Sequence, residues 1–307
     1  MKTTIGRTLV LAALGAGLST QATAAAADGD VHAGRAKMYE HLEPNSLEDA
    51  TPPKTLLAEL KKPNIAPSRI WKVLEHGEKI ECLGCIPYVK KLLYSPEGKN
   101  REIGAWWLRR RVFGVFGPGE VYSQVVKVLE NGSETEERRA YAADAVGEFL
   151  NPSGVRYVAR AAVLDPSARV RKSAVKALQR LNHEGPGLEL GAALSDADAE
   201  VRLTALKAAG SINVFSSVDR VVALLGDESA DVRKRAAETL GAMRVGDAVV
   251  GLVALAGSGE ESDDVRAAAL WALGQIGDSA GLPAVEAQLR SPSAIVRSAA
   301  VIARRRL

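Results

Sequence analysis

The sequence has 307 residues, of which 47% are apolar and 5% aromatic, with 40 basic and 37 acidic side chains. The apolar share is normal for a folded protein, so composition argues against a disordered chain, and the few aromatics imply a core of small aliphatic residues. A formal net charge of only +3 argues against nucleic acid as a partner.

Residues 1–24 have the features of a secretory signal peptide. Lys2 and Arg7 give a positive start, Thr8 to Leu18 is mostly apolar, and Ala22-Thr-Ala24 offers small residues at a cleavage site. Removing these residues leaves a mature charge of 38 minus 37, or +1. No stretch is long enough to span a membrane. We therefore expect an exported, soluble protein, periplasmic or extracellular.

Two segments precede the regular part of the chain. Residues 25–53 are acidic and show little periodicity, which predicts a flexible arm. Residues 54–84 contain two short helical patterns, Lys54 to Lys61 and Ser68 to Glu75, separated by prolines that cannot continue a helix. A solenoid needs a cap over its first repeat, so we interpret residues 54–84 as an N-terminal helical cap.

Residues 85–307 repeat. A Val-Arg pair occurs at 170–171, 201–202, 232–233, 265–266 and 296–297, so the steps are 31, 31, 33 and 31 residues. A fixed period of this size indicates a solenoid. Weaker copies around Arg139 and Arg101 raise the prediction to about seven helix pairs. The predicted fold class is therefore all-α, an α-solenoid.

Each predicted pair has an amphipathic first helix and a second helix that carries the repeat signature. The first helices show stripes such as Tyr122, Val125, Val126 and Leu129. In the second helices, Asp165 and Asp227 are predicted to be N-caps, and Pro166 would take the first helical position. Gly241 and Gly274 are predicted to be C-terminal caps.

The frame Asp-x4-Val-Arg-x2-Ala-x3-Leu-Gly resembles the HEAT-repeat superfamily, in particular the short bacterial type related to phycobilisome-lyase repeats. The resemblance covers roughly residues 85–307 and implies a right-handed superhelical stack. It also implies that the repeated arginines form a hydrogen-bond ladder between repeats. A ligand-facing stripe is the alternative. The residues concerned are Arg171, Arg202, Arg233, Arg266 and Arg297.

Cys82 and Cys85 form a Cys-x-x-Cys motif. Covalent haem attachment would need His at position 86, where Ile86 stands, and a thioredoxin-like site would need a βαβ setting. Zinc would need two further ligands. In an exported protein a local disulfide is the expected state. Redox activity and contact with a metal or haem are the alternatives.

The repeat period fails between Arg101 and Arg139, where the step is 38 residues. Insertions in solenoids are often on the binding face, and residues 54–111 carry thirteen basic and six acidic side chains, a local charge of +7. Trp and Arg are favoured at binding hot spots. A core of aromatics with solvated arginines is the alternative. The predicted partner-binding residues are Trp106, Trp107, Arg109, Arg110, Arg111, Phe113 and Phe116.

The sequence shows no catalytic constellation and predicts no cofactor or metal. Its four histidines are scattered, and only His183-Glu184 matches the His-Glu pairs of the HEAT-repeat deoxyhypusine hydroxylases. We therefore expect an exported non-enzymatic scaffold that binds a protein, such as a component of an envelope or redox complex, with no nucleic acid. The alternative is a metal- or chromophore-dependent enzyme of the lyase or hydroxylase type.

Overall fold

The structure is a computed structural model that describes residues 53–79, 82–112, 119–181, 187–211 and 215–307. The chain divides into two units, residues 1–50 and 51–307, and the description below concerns the second. The predicted signal peptide and almost all of the predicted acidic arm lie outside the described residues. Within the described ranges there are sixteen α-helices and no strand, so the predicted all-α class is confirmed.

The helices follow one another through short loops and 3₁₀ turns. Their bounds are α1 Pro53–Leu60, α2 Pro67–Lys79, α3 Ile86–Leu92, α4 Gly98–Val112, α5 Gly119–Glu130, α6 Glu136–Glu148, α7 Val155–Leu164, α8 Ala168–Leu181, α9 Gly187–Ala193, α10 Ala199–Ala209, α11 Val218–Ala223, α12 Ala230–Met243, α13 Val249–Gly257, α14 Asp263–Ile276, α15 Leu282–Gln288 and α16 Ala294–Arg304.

From α3 onward the fourteen described helices form seven consecutive pairs, which is the predicted number. The second helix of each pair packs on its own first helix and on the second helix of the next pair, giving the chain of contacts α4, α6, α8, α10, α12, α14 and α16. Helices α1 and α2 pack on each other, and α2 packs on α4. The predicted cap segment thus has the arrangement of one further pair. Among the described helices, none is long and apolar enough to cross a membrane.

The core consists of small aliphatic side chains at fixed positions of the repeat. Every valine of the five Val-Arg pairs is buried, and so is the alanine four positions after each of them. Burying one valine side chain contributes about 1.5 kcal/mol or more. The regular spacing of these residues therefore gives each pair a similar buried face, which the next pair covers.

Gly241 and Gly274 lie inside helices α12 and α14, so the prediction that they cap the helix ends is wrong. A Cβ built at Gly241 would lie 2.7 Å from the Cα of Ala272, and one at Gly274 would lie 2.7 Å from the Cα of Ala303. The missing side chain lets neighbouring second helices touch through their backbones. The left-handed residues that end these helices are Arg244 and Gly277.

Asp165 and Asp227 are not N-caps either, because their helices begin at Ala168 and Ala230, and Pro166 likewise precedes its helix. The carboxylate of Asp165 accepts a hydrogen bond from the backbone N–H of Ser167 at 2.9 Å, which is a local turn before the helix. Its oxygens are also bound by the guanidinium of Arg139, at 2.9 and 3.0 Å.

The repeated arginines connect the loops of adjacent pairs. Arg171 binds the carboxylate of Asp196 through Nε and Nη2, at 2.7 and 2.8 Å, and its Nη1 donates to the carbonyl oxygen of Asp165 at 2.9 Å. Arg202 pairs with the carboxylate of Asp227, with Nε 2.8 Å from one oxygen and Nη2 2.8 Å from the other, and its Nη1 donates to the carbonyl oxygen of Asp196 at 2.8 Å. Each guanidinium group therefore neutralises the carboxylate of the following loop and donates a hydrogen bond to a carbonyl oxygen of its own loop.

The chemistry of this ladder changes toward the end of the chain. Arg233 pairs with Glu261 at 2.7 Å, and Arg266 donates to the side-chain oxygen of Gln288 at 2.6 Å. Arg297 donates to the carbonyl oxygens of Ser291 and Pro292 in its own loop. Along the chain, the repeated arginines thus bind first an aspartate, then a glutamate, then a glutamine side chain and finally only backbone oxygens.

We predict that Gly241→Ala destabilises the protein although alanine favours helices. Helix propensity alone would stabilise by about 1 kcal/mol, but the new methyl group would meet the backbone of Ala272 and cost about 3 kcal/mol. Thermal or denaturant unfolding measures the net loss, about 2 kcal/mol. Gly226→Ala is the matched control, since a Cβ there meets nothing within 4 Å. A rise in stability for Gly241→Ala would contradict the close helix contact.

We predict that Asp196→Asn lowers the free energy of unfolding by about 3 kcal/mol at pH 7, because it leaves the half-buried Arg171 unpaired. Burial raises the pKa of Asp196, but the Arg171 hydrogen bond and the Asp198 N–H outweigh it, so the folded-state pKa is below the usual 3.8. The contribution is therefore present above pH 4 and is lost as the pH falls through the folded pKa.

Asp264→Asn is the control for this experiment, since its pair with Lys234 is exposed and should be worth less than about 1 kcal/mol. Equal losses for the two variants would contradict the special role of the Arg171 pair.

Candidate functional site

The predicted Trp/Arg patch contains both buried and partly exposed side chains. Trp107 is fully buried, and its Nε1 donates to the backbone oxygen of Leu74 at 3.0 Å. Its side chain belongs to the core between α2 and α4 and is not available to a partner, which corrects the sequence-based assignment. Trp106 is half-buried and stacks on the exposed Trp71, with ring centroids 4.1 Å apart. Arg109 is partly exposed on the next turn of α4.

Of the other predicted patch residues, Phe113 and Phe116 lie outside the described residues, and so do the side chains of Arg110 and Arg111. Within the described part, the patch is therefore the Trp71/Trp106 pair and Arg109. Two stacked rings present a rigid apolar surface at low entropic cost.

Cys82 and Cys85 are joined by a disulfide, with their Cα atoms 5.3 Å apart. Both residues are buried where the chain enters α3. Thiol exchange requires access of a thiolate to a sulfur atom, and neither sulfur offers it. The pair therefore links the chain before α3 locally, with a stabilisation of roughly 2 kcal/mol for so short a loop.

A groove that sequence reasoning missed lies on the exposed side of α10, α12 and α14. Its volume is about 670 Å³, within the range of ordinary binding pockets. Trp271 forms one wall and lies against Gly241. The other lining residues are Leu206, Lys207, Gly210, Ser211, Lys234, Arg235, Glu238, Thr239, Ala242, Asp264, Ala267, Ala268 and Ile295.

Trp271 occupies an outward position of the repeat, five residues after Arg266. The same position of the four preceding second helices, α6 to α12, holds Asp144, Lys176, Lys207 and Glu238, whereas α4 has Trp106 and α16 has Ile302 there. A tryptophan that follows four charged residues at the same position is a signal that alignment of the repeats on their arginines could have found. We call the exposed side of α8, α10, α12, α14 and α16 the second-helix face.

The ions around the groove are partly paired. Lys234 Nζ lies 3.3 Å from Asp264 Oδ2, and Arg235 Nη1 lies 2.9 Å from Glu238 Oε2. Within the described ranges, Lys207 has no carboxylate at ion-pair distance. The groove therefore combines an apolar wall with a net positive rim.

A second, more polar cleft of about 190 Å³ lies between α4, α6 and α8. Burial raises the pKa of its Asp144, an effect that the nearby Arg180, Lys176 and Arg101 only reduce. Arg101 lies over the ring of Tyr141, 4.0 Å from its centroid, and the Tyr141 hydroxyl donates to Glu137 at 2.7 Å. The cleft is thus an interlocked polar network.

Burial also raises the pKa of Tyr94 to about 12, despite Arg138 over its ring. Across the described ranges, no group of three or more His, Cys, Asp or Glu side chains is arranged to hold a metal ion.

Part of the repeat region is similar in sequence to HEAT repeats, and the chain is similar in structure to known solenoids. The family model of HEAT repeats matches residues 188–263 and 245–305. No curated protein sequence matches the chain significantly. The E. coli protein YibA is similar in structure, with a TM-score of 0.54 and 19% identity over 85% of this chain and 95% of YibA.

Two longer solenoids are also similar. Kap95p, which binds RanGDP, has a TM-score of 0.61 and 14% identity over 89% of this chain and 44% of its own. Importin beta has a TM-score of 0.56 and 16% identity over 89% of this chain and 43% of its own. At these identities the likeness shows the fold, an α-solenoid of HEAT-like helix pairs.

We predict that Asp144→Asn stabilises the protein at pH 7, by about 1 kcal/mol, because it removes a buried charge and keeps a similar shape. A raised folded-state pKa means that protonation favours the folded state. The gain should therefore shrink as the pH falls below the folded pKa and Asp144 itself becomes neutral. Unfolding midpoints of both proteins between pH 3 and 7 measure this, and a gain that grows with acid would contradict it.

Proposed function

We propose that the chain is an exported, non-enzymatic scaffold that binds another protein on its second-helix face. The observation that carries the proposal is the Trp271 groove, where a large aromatic side chain follows four successive repeats with a charged residue at the same outward position. Tryptophan is one of the residues most enriched at binding hot spots. A stack of helix pairs presents such a surface over a long distance, which suits a macromolecular partner.

The Trp71/Trp106 pair provides a second contact on the same series of helices. It is formed by α2 and α4, whereas the groove is formed by α10, α12 and α14. A partner that reaches both sites must be large or extended, because two further second helices, α6 and α8, lie between them. Kap95p is an example of this fold used to bind a protein.

Export is supported by the features of residues 1–24 and by the cysteine chemistry. A disulfide persists in oxidising compartments such as the periplasm, and both cysteines of the sequence are joined in one. The partner is accordingly expected in the cell envelope or outside the cell.

Site-specific photo-crosslinking tests the function. A photoreactive amino acid at position 271 of the full chain should form a specific cross-linked product in the periplasmic fraction. The matched control is position 250 on α13, where Val250 is 81% exposed on a first helix and no product is expected. Competition by unlabelled wild-type protein should abolish the product.

Two results would contradict the proposal. Equal cross-linking at positions 271 and 250 would show that the groove has no special role. Retention of the full-length chain in the cytoplasm, with residues 1–24 still attached, would remove export and leave the fold and the groove as they are.

A further inference from the structure

The charges around the Trp271 groove are not balanced. Its two acidic rim residues are already neutralised, Asp264 by Lys234 and Glu238 by Arg235. Lys207 is exposed on the opposite rim and has no ion-pair partner in the described part of the chain. The rim therefore has an unsatisfied positive charge and no unsatisfied negative charge.

The same excess continues on the neighbouring helix. Lys176 on α8 occupies the row position of Lys207, is exposed, and makes no ion pair with a described residue. Arg180 and Lys172 on α8 are paired with Glu148 and Glu200. Along the row Lys176 and Lys207 follow each other one repeat apart, and the acidic residue of the preceding repeat is Asp144, whose pKa Lys176 lowers against the effect of burial.

The apolar part of the groove lies on the other side. Trp271 and Ala267 are on α14, and Ile295 on α16 is half exposed. The second-helix face thus changes from basic at α8 and α10 to apolar at α14 and α16. A ligand that satisfies both regions must have an acidic part and an apolar part in a fixed order.

The spacing of the helices sets the length of that ligand. Packed helices are about 10 Å apart, so Lys207 and Trp271, which are two helices apart, are separated by roughly 20 Å, and Lys176 by roughly 30 Å. An extended chain covers these distances with about six and nine residues at about 3.3 Å each.

We propose that the groove binds an extended acidic segment of the partner protein. A large apolar side chain of this segment packs against Trp271, and carboxylates about six and nine residues away pair with Lys207 and Lys176. This inference rests on the proposed function, protein binding on the second-helix face, and specifies its chemistry. Charge complementarity fixes the orientation of the segment across the helices, and the apolar contact holds one end.

Two matched synthetic peptides test the proposal with the full chain. One carries four glutamates, a Gly-Ser spacer of six residues and a Phe-Leu end, and the other has lysines in place of the glutamates. Fluorescence anisotropy measures their binding. We expect at least tenfold tighter binding of the acidic peptide at low salt. The preference should decrease as ionic strength rises, because exposed charges are screened.

Variants of the protein separate the two contacts. Lys176→Glu with Lys207→Glu should remove the preference for the acidic peptide, and Trp271→Ala should weaken the binding of both peptides. Lys91→Glu with Lys127→Glu is the matched control, since both lysines are exposed on first helices and the change in net charge is the same. The control variant should keep most of the preference.

Three results would overturn the inference: equal or tighter binding of the basic peptide, no binding of either peptide, and equal effects of the two double lysine variants. A cross-linked partner at position 271 together with any of them would leave the protein-binding function intact. Cross-linking of position 271 to a second copy of the chain would instead assign the groove to self-association and would also overturn the inference.

Discussion

The contact on which the rest of this molecule depends is the one between a repeat arginine and two loops. Arg171 and Arg202 each bind the carboxylate of the following loop and the carbonyl oxygens of their own. Asp196 takes part in both contacts, since its carboxylate binds Arg171 and its carbonyl oxygen binds Arg202. The loops are therefore linked in series. These contacts fix how α8 and α10 are placed against the loops that follow them, and Lys176 and Lys207 lie on these two helices.

The helix pairs could be predicted from the sequence because the buried residues recur with the same period as the Val-Arg pairs. A valine and an alanine that recur every 31 to 33 residues have the same surroundings each time, so one pattern specifies all the pairs. The acidic residues and glycines were harder to interpret. Aspartate and glycine are typical of helix ends, but Asp165 is held by an arginine of another repeat and Gly241 by the backbone of Ala272. Tertiary contacts override local preference at these positions.

The candidate site was predicted only in part for a similar reason. Trp106 and Trp107 are adjacent in sequence, but successive residues of a helix point about 100° apart, so the ring of Trp106 is half-buried and that of Trp107 lies in the core. The consecutive apolar residues from Trp106 to Leu108 gave no clear face by which to separate them. Trp271 was missed because it lies in a regular repeat, and the position that it occupies becomes informative only when the repeats are aligned with one another.

The ladder and the glycine contacts also explain why the groove is where it is. Neighbouring second helices approach most closely where a glycine meets an alanine, as at Gly241 and Ala272 and at Gly274 and Ala303. Between α10 and α12 the corresponding residues are Gly210 and Thr239, and a Cβ at Gly210 would lie 3.7 Å from the Thr239 methyl group. This approach is looser.

Helix α10 is also shorter, with 11 residues against 14 in α8, α12 and α14, and Gly210 ends it. The helices are therefore held together by Arg202 at one end and are less tightly packed at the other. Gly210 and Thr239 line the groove that results. The ion pair that fixes the spacing of the repeats thus permits an opening where the glycine contact is relaxed, and Trp271 is the side chain that makes this opening apolar.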